Sequence, residues 1–587
     1  MNSDKIKTTL MDLGFKPTEE QLKAVEESLK GQSFKVVAYA GSGKTSLLVM
    51  ISHILKELQN KKGLYLAFNK SMAIEAKQKF NSEVHCSTFH ALAYAEVPKY
   101  LSAKLANKRL FPKALAEMYS LSNEKMKYSS EYLNKVKACS SDKLKEIKRS
   151  GSKRFVSAQF KMQMINDAIS IFCKSDDTEV KTSHFKKVDW LDKNDYDCLV
   201  KELHPVAIKH WKNLIEDNDL HISHDVYVKY WAMKDPQIEG FDYIMMDESQ
   251  DMDKLMSRLL SKQKTPIIYV GDYFQQIYSW RGAVNTFKNL NMPEIRLTKS
   301  FRFGQEIANH SNLLLSLLGE EIPLVGNDAI SSKVIVDHPV SMEVDAILCR
   351  SNKGAFIELV KHSQRFPNRK FAFLADVAEI KSWMASAQDL INNKQVYHSE
   401  LSCFSSWAEV IEYCELNKAD NEFKYMINLL ETFNNDFKKI DDILNMINTN
   451  TNEADCVICT VHKAKGLEWD TVLIGNDFEL DLMTDKFDGL TKNKERKSKE
   501  LYLENWNAID FPKQVKYFPI GSMIESRVER KARMNPKIEE QRYRITEMRE
   551  EEIRVLYVAL TRAKTKVYSS DLGELFILVN KLENNLD

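Results

Sequence analysis

Residues 41–45 (Gly-Ser-Gly-Lys-Thr) constrain the fold more than any other segment, because they have the pattern of a phosphate-binding loop between a strand and a helix. Residues 34–39 form a short, mostly apolar, β-prone run that predicts a buried strand. The glycines let successive N–H groups point at phosphate oxygens, Lys44 adds positive charge, and the Thr45 hydroxyl can bind Mg²⁺. The strict pattern has a glycine where Ala38 stands.

A helix is predicted directly after this loop, with the positive end of its dipole toward the phosphates. The apolar residues that recur there at helical spacing are Leu47, Leu48, Ile51, Ile54, Leu55 and Leu58.

The chain has 587 residues, too many for one ordinary core, and we expect three to five domains or subdomains. No apolar run reaches the length that spans a bilayer, and residues 1–5 lack a signal-peptide core. These features predict no membrane partner and a cytoplasmic location: nucleoid-associated in a bacterium, or the host cytoplasm for a phage protein. The net charge of +1 neither supports nor excludes nucleic acid, because a basic groove can lie within a neutral total.

The nine cysteines are an odd number and thinly spread, which argues against a disulfide framework. Cys456 and Cys459 form a CxxC pattern inside an apolar, strand-like run, with no second Cys or His pair nearby. We therefore predict a buried strand there rather than a metal or redox site.

Strand-like and helix-like segments alternate in two parts of the chain, which predicts an α/β fold with two cores. The predicted strands after the first are residues 64–68, 243–246 and 267–270, then 334–336, 346–349, 457–460 and 471–474. A helical, highly charged block without clear strands interrupts the first core at 96–204, and a second helical block lies at 379–450. Residues 481–550 are a charged stretch, interpreted as a solvated loop and surface helix in preference to a DNA-binding arm.

Two carboxylates, Asp247 and Glu248, end the predicted strand 243–246. Ligands of open α/β sheets bind at this carboxyl edge. Asp247 can hold Mg²⁺ through its water shell, while Glu248 can orient or deprotonate the attacking water. Acidic residues also end strands as turn formers or helix caps. The functional interpretation of this pair therefore depends on the phosphate loop earlier in the chain.

Ordered motifs over most of the chain resemble those of the superfamily-one DNA helicases of the UvrD/Rep group. The segments are ESQD (248–251), VGDYFQQIYSWRGA (270–283), TVHKAKGLEW (460–469) and EEIRVLYVALTRAK (551–564). Residues 66–71 with 88–90, and residues 462–468, are most similar to the F-box DNA helicase branch, although no F-box is apparent.

The resemblance implies an α/β fold with two RecA-like parallel-sheet cores, each carrying an α-rich insertion. The implied domains are the first core at 1–95 and 205–300, its insertion at 96–204, the second core at 301–378 and 451–587, and its small insertion at 379–450.

The resemblance also implies ATP and Mg²⁺ as cofactors, bound between the cores. The implied nucleotide contacts are Gln21, Ala40, Gly41, Ser42, Gly43, Lys44, Thr45, Ser46, Phe301, Arg302, Glu468 and Arg562. The implied catalytic residues are Lys44, Glu248, Gln275 as γ-phosphate sensor, and Arg302 and Arg562 as arginine fingers, with Thr45 and Asp247 for the metal.

Three nucleotide contacts have particular features. Gln21 matches the adenine-reading glutamine, and it also has capping-box spacing from Thr18, so both roles can coexist. Phe301 keeps the stacking face of the tyrosine found in many relatives. Ser46 replaces an arginine, which puts strict ATP preference in doubt, whereas alanine at position 38 is common in the group.

DNA contacts are implied on both cores, with aromatic stacking and backbone grips along a single strand. They are Phe68, Asn69, Lys70, Thr88, His90, His224, Tyr278, Trp280, Thr460 and His462. Tyr278 can equally pack in the core, and a lone histidine such as His224 is more often structural. Lys143, Lys145, Lys148, Arg149, Lys153 and Arg154 either touch duplex DNA or line a solvated helix.

The expected function is therefore an ATP-dependent single-stranded DNA translocase and helicase, with single-strand/duplex junctions as partners, in repair, recombination or replication. Only the resemblance implies 3′-to-5′ polarity. The alternatives are a nucleotide-gated DNA-binding switch or a protein-stripping translocase without processive unwinding. RNA as substrate is disfavoured by the resemblance, and a helicase–nuclease fusion by the short sequence after Arg562.

Overall fold

The computed structural model describes most of the chain. The described residues are 3–130, 132–133, 151–188, 190–217, 219–277, 286–336, 343–374, 377–394, 406–416, 435–445, 451–475, 477–478 and 550–569, with single residues or pairs between 396 and 433 and at 447.

Fourteen strands are assigned within the described residues. In chain order, β1 to β14 are Phe34–Ala38, Gly63–Ala67, Val84–Thr88, Glu124–Lys127, Lys153–Val156, Tyr243–Met246, Ile267–Gly271, Glu294–Leu297, Lys333–Ile335, Ala346–Cys349, Phe371–Phe373, Cys456–Thr460, Trp469–Ile474 and Ala563–Tyr568.

Helices surround these strands. Their bounds are Ser3–Asp12, Glu19–Ser28, Lys44–Gln59, Lys70–Lys79, Phe89–Glu96, Lys99–Ala103, Pro112–Met118, Ala158–Lys174, Lys193–Glu216, His224–Ala232, Lys254–Ser261, Gln305–Leu317, Asn352–Arg365, Val377–Ile391, Trp407–Leu416, Phe437–Asn445 and Val461–Ala464, and residues 550–560 are also helical. None of these is long and apolar enough to cross a membrane.

The first sheet has six parallel strands in the order β3-β2-β6-β7-β1-β8. Strands β1, β2, β6 and β7 are buried along their whole length, as their apolar sequences predict. Because the strands are parallel, the segments that follow them meet at one edge of the sheet. The phosphate loop after β1 therefore lies beside the segments after β6 and β7.

The second sheet also has six parallel strands, in the order β11-β12-β10-β13-β14-β9. The helical segment 550–560 leads through Thr561 and Arg562 into β14. Cys456 and Cys459 lie on β12, which is buried throughout, so the predicted buried strand is confirmed. The two parallel-sheet cores confirm the predicted α/β class.

The first helical block, predicted to be helical with no clear strands, contains a pair of short strands. Strands β4 and β5 form an antiparallel pair in which Lys125 faces Phe155 and Lys127 faces Lys153. Their alternation buries Met126 and leaves both neighbouring lysines exposed. A four-residue strand with so few apolar residues has the same composition as a solvated helix, which explains the error.

The predicted domain bounds can be compared only with the positions of these elements. The helix Lys193–Glu216 runs without a break through the predicted boundary at 204/205. The charged stretch 481–550 lies outside the described residues, apart from its last residue, which begins the helical segment 550–560.

Candidate nucleotide site between the two sheets

The phosphate loop has the backbone that its glycines predict. Gly41 and Gly43 adopt positive φ values of 71° and 82°, which residues with a side chain rarely adopt. A Cβ atom at Gly41 would lie 2.5 Å from the hydroxyl oxygen of Ser300 and 2.7 Å from Cβ of Arg302. The chain therefore approaches the loop too closely for any residue but glycine.

The loop also presents polar groups that fit a phosphate ligand. The buried hydroxyl of Ser42 has no hydrogen-bond partner among the described residues. A buried polar atom without a partner is costly, so a phosphate oxygen is a suitable acceptor for it. Lys44 begins the helix Lys44–Gln59 and Thr45 follows it, both half-buried, while Ser46 is exposed.

Gln21 forms the predicted capping box and also reaches the phosphate loop. Its side-chain Oε1 accepts from the Thr18 N–H at 3.0 Å, and its own N–H donates to the Thr18 hydroxyl at 3.2 Å. A Cβ at Gly43 would lie 3.1 Å from Nε2 of Gln21 and 3.5 Å from the Phe301 ring. The amide and the aromatic face therefore lie next to the loop, as base contacts require.

The carboxylates after β6 occupy a buried, strained turn. Asp247 accepts hydrogen bonds from the Tyr65 hydroxyl at 2.7 Å and from the Glu248 N–H at 2.9 Å. Burial, together with the charge of Glu248, raises the pKa of Asp247. Glu248 has φ 50°, a left-handed conformation that costs energy in a residue with a side chain. Such strain is typical of functional sites.

The electrostatic surroundings keep Glu248 ionised. Burial acts to raise the pKa of Glu248, but the positive charges of Lys44, Lys465 and Arg562 outweigh it and lower the pKa below its usual value. A carboxylate with a lowered pKa is a weak proton acceptor, but it orients a water molecule well. In this arrangement Glu248 is therefore suited first to positioning water.

The second sheet supplies the other wall of the site. The Arg562 guanidinium, with the residue only 2% exposed, donates from Nη2 to Oε1 of Gln275 at 3.1 Å. Burial, with the charge of nearby Arg302, lowers the pKa of Arg562 to about 9. Two arginines in a buried space favour an anionic ligand between them.

Arg302 and Glu468 meet at the same junction. Arg302 donates from Nε to Oε2 of Glu468 at 2.7 Å and from Nη1 to the carbonyl of Thr561 at 2.9 Å. Arg302 is therefore tied to the residue that precedes Arg562 in the chain. The structure brings together all the predicted nucleotide-site residues except Ser46, which is exposed.

Four further residues belong to the site. The sequence motifs contain them, but the sequence analysis predicts no role for them. Lys465 donates to the carbonyl of Gln275 at 2.9 Å and is paired with the buried Asp251. Tyr557 is fully buried, and its hydroxyl lies 3.2 Å from Oδ2 of Asp272. Each belongs to one of the helicase-like motifs, and motif membership is the only signal in the sequence that could have indicated it.

The predicted DNA contacts of the first core gather at the ends of β2 and β3. The two strands pair so that Ala67 faces Thr88, and Phe68 and His90 therefore follow neighbouring strand ends. Asn69 and Thr88 also have structural roles, because each caps the helix that follows it through a side-chain oxygen. Lys70 is exposed, and Phe68 is half-buried.

His90 and His224 lie together although the sequence separates them widely. Their ring centroids are 6.4 Å apart, and Nε2 of His90 lies 3.6 Å from Oδ1 of Asp225. Nδ1 of His224 lies 3.2 Å from the hydroxyl of Tyr227. A polar cluster thus extends the edge formed by the ends of β2 and β3.

On the second core, Thr460 ends β12 and is buried, while His462 contacts the first core through Nε2, 3.1 Å from the carbonyl of Ile277.

Of the basic residues predicted in the first insertion, Lys153 is exposed on β5. The remaining predicted DNA contacts lie outside the described residues; these are Tyr278, Trp280, Lys143, Lys145, Lys148, Arg149 and the side chain of Arg154.

Comparison with known proteins gives consistent matches. Residues 17–292 match the family model of the UvrD/REP helicase N-terminal domain. The chain is 29% identical to F-box DNA helicase protein 1 of Schizosaccharomyces pombe, over 94% of this chain and 57% of that protein. It is 28% identical to F-box DNA helicase 1 of Gallus gallus, over 79% of this chain and 45% of that protein. The chain thus spans about half the length of these relatives.

A more distant similarity is to Gabija protein GajB of Bacillus cereus, 26% identical over 39% of this chain and 57% of that protein.

Proposed function

We propose that the chain is an ATP-driven motor that moves along single-stranded DNA and unwinds duplex DNA. The match of residues 17–292 to the UvrD/REP helicase N-terminal domain supports this proposal, as does the similarity of most of this chain to the two F-box DNA helicases. The observation that carries this proposal is the junction at the phosphate loop. There Arg562 and Lys465 of the second core hydrogen-bond with Gln275 of the first. Such a site changes shape when the cores move relative to each other.

In this proposal the residues of the site have three roles in ATP hydrolysis: metal binding, water positioning and charge stabilisation. Thr45 and Asp247 offer the oxygen ligands that Mg²⁺ prefers, and a bound Mg²⁺ would neutralise charge on the β- and γ-phosphates. Glu248 positions the attacking water. Lys44, Arg302 and Arg562 supply positive charge where negative charge develops on the transferred group.

The DNA track in this proposal runs along the carboxyl edges of both sheets. Phe68, Asn69 and His90 would hold the strand on the first core, and Thr460 on the second. His462 contacts Ile277 directly after the Gln275 segment, so movement at the nucleotide site reaches the second-core grip through that contact. Closure and reopening of the cores would then move one grip relative to the other.

Strand-displacement and ATPase assays test the function directly. We expect single-stranded DNA to stimulate ATP hydrolysis, and a duplex with a 3′ tail to be unwound in preference to one with a 5′ tail. Strong stimulated ATPase without displacement on either tailed duplex would instead favour a nucleotide-gated switch. Competition with an RNA strand of matched sequence identifies the preferred nucleic acid.

Substitutions of Gln21 are expected to separate base binding from helix capping. Gln21→Glu keeps the oxygen that caps the Thr18 N–H but loses the Nε2 donor near Gly43. We expect it to raise the KM for ATP while keeping thermal stability. Gln21→Ala removes both groups and should also lower the free energy of unfolding by about 1 kcal/mol. An unchanged KM for ATP in both variants would contradict the base-reading role.

Phe68→Ala is expected to weaken single-stranded DNA binding by about 5- to 150-fold, the equivalent of losing one stacked base. Phe68→Tyr keeps the aromatic face and serves as the matched control, with affinity close to that of the wild type. Fluorescence anisotropy of a labelled oligonucleotide measures both. Equal affinities for Phe68→Ala and the wild type would remove Phe68 from the DNA track.

A further inference from the structure

Two side chains of one segment, Tyr557 and Arg562, reach across the junction to neighbouring groups on the first core. Tyr557 lies on the helical segment 550–560, and Arg562 follows in the turn after it. That turn is held to the helix, because the Thr561 hydroxyl donates to the Tyr557 carbonyl at 2.8 Å and Nε of Arg562 donates to the Val558 carbonyl at 3.1 Å. The position of Tyr557 therefore fixes the position from which Arg562 extends.

The Tyr557 hydroxyl has two partners on the first core. It accepts from the N–H of Ala40, the residue before the phosphate-loop glycine, at 3.3 Å. It lies 3.2 Å from Oδ2 of Asp272, to which it donates. Because Tyr557 is 0% exposed, this hydroxyl is surrounded by protein at the junction.

Asp272 continues the contact to the predicted γ-phosphate sensor. Its Oδ2 accepts from Nε2 of Gln275 at 2.8 Å, and the Oε1 of Gln275 accepts from Arg562 at 3.1 Å. The hydrogen bonds therefore connect Tyr557 to Asp272, Asp272 to Gln275, and Gln275 to Arg562. The backbone between Tyr557 and Arg562 closes the circuit. Both ends of the Gln275 amide are oriented by this circuit.

We propose that Tyr557 is a positioning residue for ATP hydrolysis, whose hydroxyl sets the second core against the phosphate loop so that Arg562 and Gln275 are presented together. The ring alone fills space, and phenylalanine would fill it equally well. Only the hydroxyl joins Ala40, Asp272 and the Arg562 segment. This inference rests on the proposed function, because a positioning role requires that the site hydrolyses ATP.

Tyr557→Phe tests the role of the hydroxyl, and the chain offers a matched control. Tyr243, on β6 of the first core, is buried like Tyr557, but its hydroxyl has no hydrogen-bond partner among the described residues. Tyr243→Phe should therefore leave ATPase unchanged. We expect Tyr557→Phe to lower kcat about tenfold, equivalent to about 1.4 kcal/mol, with the Kd for ADP changed less than about twofold.

Two readouts distinguish positioning from a general structural role. The affinity for ADP with aluminium fluoride, which mimics the transferred phosphoryl group, should fall about tenfold in Tyr557→Phe. In the protein without nucleotide, amide hydrogen exchange in the peptide that contains Ala40 should become faster, while Tm stays close to the wild-type value.

The outcomes are distinct. A wild-type protein without DNA-stimulated ATPase would overturn the proposed function and, with it, this inference. An active wild type with unchanged kcat and unchanged aluminium fluoride affinity in Tyr557→Phe would overturn the inference alone. A fall in Tm with no selective loss of aluminium fluoride affinity would show that Tyr557 has a purely structural role, and it would also overturn the inference.

Discussion

Replacing Glu248 by glutamine is expected to lower ATP turnover by about 10²–10⁴-fold while ATP binding persists. Glutamine has almost the same shape, so the left-handed backbone at this position is strained to the same extent in the variant. What is lost is the negative charge that Lys44 and Lys465 stabilise, and a charged acceptor for water is replaced by a neutral amide oxygen beside an NH₂ donor. Single-turnover hydrolysis and equilibrium binding of labelled ATP measure the two effects separately.

A second substitution at the same position serves as the control. Glu248→Asp keeps the charge but shortens the reach, so its turnover should lie between those of the wild type and Glu248→Gln. The low pKa of Glu248 also gives a pH expectation: the carboxylate stays charged down to the acidic range, so this group should not reduce activity between pH 6 and 8. Undiminished ATPase in Glu248→Gln would remove Glu248 from the mechanism.

The sequence predicted the positions of the main strands because those strands are short apolar runs in parallel sheets. β1, β6 and β7 are buried on both faces, so each shows as a continuous apolar run that ends in a polar motif. The rule that parallel strands present their carboxyl ends at one edge then placed residues 41–45 and Glu248 together, and the resemblance to the helicase motifs added Gln275. This part of the site needed no information beyond the motifs.

The partners across the junction could not be predicted in the same way. Tyr557 and Asp272 are 285 residues apart, and Arg562 and Gln275 are 287 apart, so their contacts depend on how the two sheets face each other. Motif membership indicates that a residue matters but does not identify its partner. The β4–β5 hairpin was missed for a different reason, since its few buried residues leave no apolar run.

Arg562→Ala is expected to slow hydrolysis by about 10³–10⁵-fold, the range for loss of an arginine finger, with a much smaller effect on ATP binding. The guanidinium contacts Gln275, and its charge also lowers the pKa of Glu248. In the proposed mechanism charge develops here during phosphoryl transfer, and the guanidinium is buried where solvent screening is weak. Arg562→Lys keeps one charge but loses the planar fork that also donates to the Val558 and Leu467 carbonyls, so we expect only partial recovery.

A neighbouring cation provides the control for this prediction. Lys564 lies two residues later and pairs with Glu468 at 3.2 Å, but both side chains are well exposed, and exposed pairs contribute little. Lys564→Ala should therefore change kcat by less than about threefold, which separates removal of a specific guanidinium from removal of nearby positive charge. In the proposed mechanism Arg562 stabilises the charge that develops in the transition state, so its loss should appear in kcat far more than in the Kd for ATP. Equal losses in both quantities would show that Arg562 binds the nucleotide without stabilising the transition state.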